Sequence, residues 1–276
     1  MAECILCGAA IGRNTHSRQH VLPEWLKQYF VPEDNATEPA LHIRKLKRRG
    51  EEMNNEEWNA VPFNMRIKDM CKPCNNEWCN KIENEAKALL IPMIAGAPIS
   101  LDVAQQTALA NQAMLIALML QLTHAEGERS IALDAYRWFR RERHPLPNEQ
   151  MWVARYDGTG EWPTSYRHYG MSIFDAAVAD PPDDVNAHAL AFSVGHLVVV
   201  AFGHTIDHEL RIGVSDGPAS VVLHPIWPAR SNVEFPGPGY VQGAGGLDAL
   251  VDGFGDAAAF HSDNPQTGPT ITPRRG

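Results

Sequence analysis

The chain is 276 residues long, 44% apolar and 21% charged, with 24 basic against 33 acidic side chains and a net charge of −9. That length and apolar content suit one or two domains with a real core, while the acidic balance argues against a protein that grips nucleic acid through bulk charge. The opening MAECILCGAAIG lacks the basic start and apolar run of a secretory signal, so a reducing cytoplasm is the expected setting.

Four of the five cysteines fall in two CxxC pairs, Cys4 with Cys7 and Cys71 with Cys74. Two such knuckles, each folding two thiolates onto one ion, are the usual way to build a closed Cys4 structural zinc site. A thioredoxin-like redox pair would suit one CxxC and leave the other unexplained. Cys79 is then a spare thiol, expected to be half-buried on a helix.

Between the knuckles lies His20, in SRQHVLPEWL, and fifty residues separate it from Cys71. That distance requires an insertion, and the insertion contains HIRKLKRRG, with Arg44, Lys45, Lys47, Arg48 and Arg49 in six positions. Such a run suits phosphate contacts, since each Lys or Arg that displaces counterions adds affinity without reading sequence. Flanking Glu51, Glu52, Glu56 and Glu57 leave a solvated loop as the other reading. Residues 1–85 hold 12 basic and 13 acidic side chains, so eight of the nine net negative charges lie beyond them.

After the second knuckle, NKIENEAKALLIPMIAG has helical spacing at Ile82, Ala86, Leu89 and Leu90, interrupted near Pro92 and Gly96. DVAQQTALANQAMLIALMLQLTHAEGE predicts a second helix capped by Asp102. Its polar start and short apolar part argue against a membrane span, which needs about 20 predominantly apolar residues, so no membrane association is expected. ALDAYRWFRRERH predicts a third helix ending at Pro145, where Arg137, Arg140, Arg141 and Arg143 form a basic face. From Pro147 the period changes to two. QMWVARYDG, SYRHYGMSIF, AHALAFSV, HLVVVAFGH and ASVVLHPIW read as five antiparallel strands, with VGHL as a hairpin turn. The histidines there (His188, His196, His204, His208 and His224) read as ordinary sheet and turn residues. The Gly- and Pro-rich end after Gly253 reads as disordered.

A knuckle, then His followed by an apolar stretch and Pro, then a second knuckle running into Asn75 and a helix, resembles the zinc-knuckle branch of the HNH endonucleases, with their ββα-metal site. The tract from Val21 to Trp25, the NNEW run and Glu83 look like a bacterial and phage subfamily of HNH-type proteins; the likeness covers about the first 90 residues. It implies metal-dependent hydrolysis of nucleic acid phosphodiesters, with DNA the expected substrate, a structural Zn²⁺ on the four cysteines and a separate catalytic divalent ion, Mg²⁺, Mn²⁺ or Ni²⁺. His20 would be the general base, and Gln19 and Asn75 would ligate the catalytic ion. The family usually has Asp or Glu before the histidine, and the amide of Gln19 brings no charge to a hard cation. Glu83 could supply it, lying eight residues after Asn75 and about 80° around the helix from it.

The expected architecture is α+β. Residues 1–95 form an N-terminal ββα-metal, HNH-like zinc-knuckle module, residues 96–145 a helical middle packing on it, residues 146–253 an antiparallel β-rich half, and residues 254–276 a tail. The competing readings are a catalytically decayed zinc-binding module that recognises nucleic acid or a partner, and a redox or metal-storage role for the cysteines. Double-strand cutting would be easiest with a homodimer.

Overall fold

A computed structural model of the protein describes residues 2–29, 40–48, 51–125, 129–157, 165–175, 184–206, 213–214, 223–255, 259–260 and 270–271. In chain order these form β1 (His16–His20), β2 (Ala40–Arg48), β3 (Glu51–Ala60), β4 (Arg66–Cys71), α1 (Asn80–Ile94), β5 (Ile99–Leu101), α2 (Val103–Gln121), α3 (Leu133–Glu142), β6 (Gln150–Asp157), β7 (Tyr166–Met171), β8 (Phe174–Asp175), β9 (Ala187–Val194) and β10 (Leu197–His204). The remainder are β11 (Gly213–Val214), β12 (His224–Trp227), β13 (Val233–Phe235), β14 (Tyr240–Gln242), α4 (Gly243–Gly255), β15 (Ala259–Phe260) and β16 (Thr270–Ile271). The fold is mixed α+β, organised on one large mixed sheet.

That sheet runs β12-β6-β10-β9-β7-β2-β3, with β14 also on β6. β9 and β10 are buried along their whole length, because both faces of the sheet are covered. Leu197, Val199 and Ala201 share a core with α1 and α2, whereas Val198, Val200 and Phe202 face Leu247, Leu250, Val251 and Phe254 of α4. Continuous apolar runs are what a doubly covered sheet requires.

Two features depart from the expected five-stranded antiparallel sheet. The insertion is a β-hairpin that joins the sheet: β2 pairs with β3 antiparallel and with β7 in parallel, through Ile43↔Arg167 to Lys47↔Met171. β14 adds a second parallel pair, on β6. The polar sequence of the hairpin concealed this, since among its described side chains Ile43 and Leu46 are the buried apolar ones and Trp58 packs partly buried against the core. The first 95 residues thus supply two strands to the sheet of the C-terminal half.

α2 begins with the expected Asp102 cap, which is a full capping box: Gln105 N–H donates to Asp102 Oδ1 at 2.8 Å and Gln105 Oε1 accepts from Asp102 N–H at 2.9 Å. By length and composition α2 is apolar enough to cross a membrane, contrary to its sequence reading; 72% of the apolar window is buried inside the molecule. The expected VGHL turn docks β9–β10 on the end of α1, where His196 N–H donates to Ile94 O at 2.9 Å. Gly195 there has φ +56°, and a Cβ would meet Ile94 O at 2.6 Å, so only glycine fits.

α4 lies almost wholly within residues 146–253, where strands and no helix were expected. Leu247, Leu250, Val251 and Phe254 recur at helical spacing and close the second core. Of the expected tail, 256–258, 261–269 and 272–276 lie outside the described residues, while β15 and β16 pair in parallel with β8 and β11. His208 also lies outside them.

Candidate metal centre and the surface around His20

The first knuckle is a tight turn in which Gly8 N–H donates to Cys4 O at 2.7 Å and Cys4 N–H to Ala9 O at 2.8 Å. β4 delivers Cys71 at its end, and a π-helical turn, Cys74–Cys79, begins with Cys74 and leads into α1. β1 and β4 pair antiparallel as a second hairpin, from whose ends the insertion departs, and it is stitched to the first knuckle by Ile5 N–H donating to Asp69 O at 2.9 Å. As a result the sulfurs of Cys4, Cys7, Cys71 and Cys74 all lie within 4.8 Å of one another, with Cys7 and Cys71 at 3.7 Å.

No disulfide joins them; a bonded pair would sit near 2.05 Å. Four sulfurs at about 2.3 Å from one tetrahedral ion stand roughly 3.8 Å apart, so the cluster is a possible metal site compatible with structural zinc. Burial raises the thiols of Cys71 and Cys74. Cys4 meets the same burial cost, but hydrogen bonds from the main chain of Cys71, Cys7 and Leu6 outweigh it and lower the thiol to about 7. Cys79 is fully buried beside the cluster rather than half-exposed.

α3 closes over this centre with its basic face. Arg140 hydrogen-bonds Cys74, Arg137 pairs with Glu3 at 3.3 Å, and Arg143 pairs with Glu85 at 3.0 Å. A tetrathiolate zinc carries excess negative charge, and a guanidinium on one sulfur offsets it.

The residues expected to act on phosphate divide into two groups. Gln19 and Glu83 are both buried, on β1 and α1, and Gln19 Nε2 donates to Glu83 Oε1 at 2.9 Å. Burial pushes the Glu83 carboxyl up, and the Gln19 bond only partly counters it. No basic side chain pairs with Glu83 among the described residues. Asn75 is hydrogen-bonded to neither; its Nδ2 donates to Ser17 Oγ at 2.7 Å and to Arg18 O at 3.3 Å, pinning the helix start to β1.

His20 lies on the opposite side of β1 from Gln19, half-exposed, directly across from Arg66. Arg66 Nε donates to His20 Nε2 at 2.8 Å. Burial lowers the His20 pKa below 6.5, helped by the charges of Arg66 and Lys27 and opposed by Glu24.

The basic run of the insertion is occupied internally. Arg44 pairs with Glu56 and reaches Thr123 O. Lys45 and Lys47 both reach Asp252 of α4, at 3.4 and 3.3 Å, and both lie over the Tyr169 ring. Arg48 ends β2 and its side chain is outside the described residues, as is Arg49. Exposed cations that make no ion pair among the described residues lie elsewhere: Arg18 on β1, Arg66 and Lys68 on β4, with Arg13 and Lys72 at the foot of the hairpin, where Lys72 N–H donates to Thr15 O at 2.8 Å. A register shift between Ser17 and Gln19 turns both Lys68 and Asp69 outward. Sequence reasoning missed these cations because they are scattered; strand parity around His20 was the signal that marks them.

Compared with protein-family models, with curated proteins and with solved structures, the chain matches none of them.

Proposed function

We propose that the chain is a metal-dependent endonuclease that hydrolyses phosphodiester bonds of nucleic acid, DNA in the first instance, with His20 as general base. The observation that carries this reading is a half-exposed histidine on the outer face of β1, hydrogen-bonded across the strand pair to exposed Arg66, with exposed Arg18 and Lys68 two positions along β1 and β4.

The four cysteines hold the structural zinc that fixes β1 against α1. Glu83 and Gln19, which meet on the side of β1 away from His20, would hold the catalytic divalent ion, replacing with a cation the proton that burial favours on Glu83. When bound, a divalent ion there would offer positive charge to phosphate oxygens from the side of β1 opposite the base. Asn75 then acts by holding the helix on β1 rather than as a ligand. His20 takes a proton from water, whose oxygen bonds to phosphorus; the bond to the leaving oxygen breaks and that oxygen takes up a proton from solvent. Arg18, Lys68, Arg13 and Lys72 hold neighbouring phosphates, a role better suited to them than to the internally paired run at 44–49. A second copy on the other strand would complete a double-strand cut.

The alternative is a catalytically decayed module that keeps zinc and binds nucleic acid through the same face. It is favoured by one observation, the uncharged Gln19 turned into a buried hydrogen bond with Glu83. Supercoiled plasmid incubated with wild type and His20→Ala, with Mg²⁺, Mn²⁺ or Ni²⁺ and zinc measured on the same samples, separates the two. Cleavage by wild type alone supports the endonuclease. Binding by both proteins with cleavage by neither supports the decayed module.

A further inference from the structure

We infer that Arg66 is a phosphate-binding residue that keeps the base nitrogen of His20 closed in the free protein and releases it when a phosphodiester draws the guanidinium away. This rests on the endonuclease reading and adds a control step to it.

The geometry is specific. Arg66 and His20 are cross-strand neighbours, and Arg66 Nε donates to His20 Nε2 at 2.8 Å. A guanidinium has donors and no acceptor, so Nε2 must be the unprotonated nitrogen and Nδ1 must carry the ring proton of the neutral imidazole. Neither nitrogen can then accept a proton from water. His20 is in position as a base but shut.

What opens it follows from the surroundings of Arg66. Glu24, a carboxylate that feels the charges of both His20 and Arg66, is taken by Lys27 at 3.3 Å, and Arg66 makes no ion pair among the described residues. Its side chain is exposed, so the remaining N–H groups of its fork are open to an anion. Phosphate oxygens take a guanidinium in two parallel charge-assisted bonds, which a single bond to a neutral imidazole does not match. Arg18 and Lys68 add attraction for the same anion, and exposed Asp69 opposes it by one charge. Substrate binding and uncovering of the base would be one movement of one side chain.

The test is acylation of His20 by diethyl pyrocarbonate, which needs a free imidazole lone pair, followed by peptide mass spectrometry on the zinc-loaded full chain. His16, on the same strand, serves as internal control. Loss of a hydrogen bond from a charged donor should speed modification of His20 by about tenfold in Arg66→Ala, with Arg66→Gln behaving alike and His16 unchanged. Dimethyl phosphate added to wild type should also speed His20 modification, and should have no effect in Arg66→Ala. Equal His20 rates in wild type and both variants overturn the inference, as does a wild-type rate that the diester leaves unchanged. One zinc per chain in each sample shows that the variants are folded. Plasmid cleavage by wild type reports on the endonuclease reading separately, so failure of either idea is recognisable by itself.

Discussion

Gln19 Nε2 and Glu83 Oε1 meet at 2.9 Å across 64 residues of sequence, and both side chains are buried. This hydrogen bond joins β1 to α1 at the level of His20. Replacing Glu83 by Gln preserves the shape and offers Gln19 a neutral acceptor, so folding and zinc content should stay close to wild type while metal-dependent cleavage is lost. Glu83→Ala instead leaves the Gln19 amide unpaired in the interior, which should cost about 1–3 kcal/mol of stability. Urea denaturation and plasmid cleavage on the two variants check both statements; cleavage by Glu83→Gln at the wild-type rate would remove Glu83 from the ion site.

The cysteine cluster makes a separable prediction. Zinc binding free energy at such a site is largely folding free energy, so Cys71→Ser should lose the metal and the tertiary packing of the hairpin together. Cys79→Ala should keep one zinc per chain, since Cys79 lies outside the group of four, and should cost only the packing of a small buried side chain. Zinc content and near-UV circular dichroism distinguish the two outcomes. A Cys79→Ala protein without zinc would mean that the ligand set is wrong.

Charge position, rather than charge number, sets the third expectation. Lys45 and Lys47 converge on Asp252, and Arg18 and Lys68 face solvent. Arg18→Ala with Lys68→Ala should therefore weaken DNA binding and reduce the slope of log affinity against log salt by roughly 0.9 for each phosphate that the protein no longer neutralises. Lys45→Ala with Lys47→Ala should leave that slope unchanged and lower stability instead. Fluorescence anisotropy with a labelled duplex over a salt series reads the slope, and a reversed result would restore the insertion as the nucleic-acid surface.

Much of this molecule was legible in the sequence where a local rule acts. The two CxxC pairs, the Asp102 cap, the VGHL turn and the short apolar runs of β6, β9 and β10 each depend on neighbours a few residues away. What was hidden depends on distant partners. HIRKLKRR reads as a basic loop until Tyr169 and Asp252 are placed beside it, because lysine stems can pack on a ring while their ammonium groups pair with acid. Parallel pairing of β2 with β7 leaves no turn signal between them. α4 was obscured by the glycines around Leu247, in a helix that depends on burying Leu250, Val251 and Phe254 against the sheet. The division of Gln19 and Glu83 from Asn75 was likewise invisible, since spacing along a helix does not say which strand residue each side chain meets.

Three interior histidines predict an acid-sensitive fold. Burial lowers His42 to about 4, with the Arg167 charge helping and the Ala60 carbonyl opposing. Burial lowers His124 to about 3, helped by Arg44 and Arg129. Fully buried His168, in contact with His124, is held well below its usual value by burial and by the charges of His124, His188 and Arg44. In each case the folded value lies below that of the unfolded chain, near 6.5, so between the two the unfolded chain binds the extra proton. Their stabilising effect is complete above about pH 6.5 and is lost as pH falls below it, by up to about 1.4 kcal/mol per pH unit for each histidine. Zinc release at low pH would add to the same trend, so the informative quantity is a difference between proteins. His42 stacks on Tyr166 with ring centroids 4.6 Å apart, and Phe in its place keeps a ring there while removing the titration. The stability of His42→Phe relative to wild type, from urea midpoints at matched zinc, should therefore rise by about 1.4 kcal/mol for each unit of acidification between pH 6 and pH 4. A difference that stays constant across that range would show that His42 is not the neutral buried group its surroundings make it.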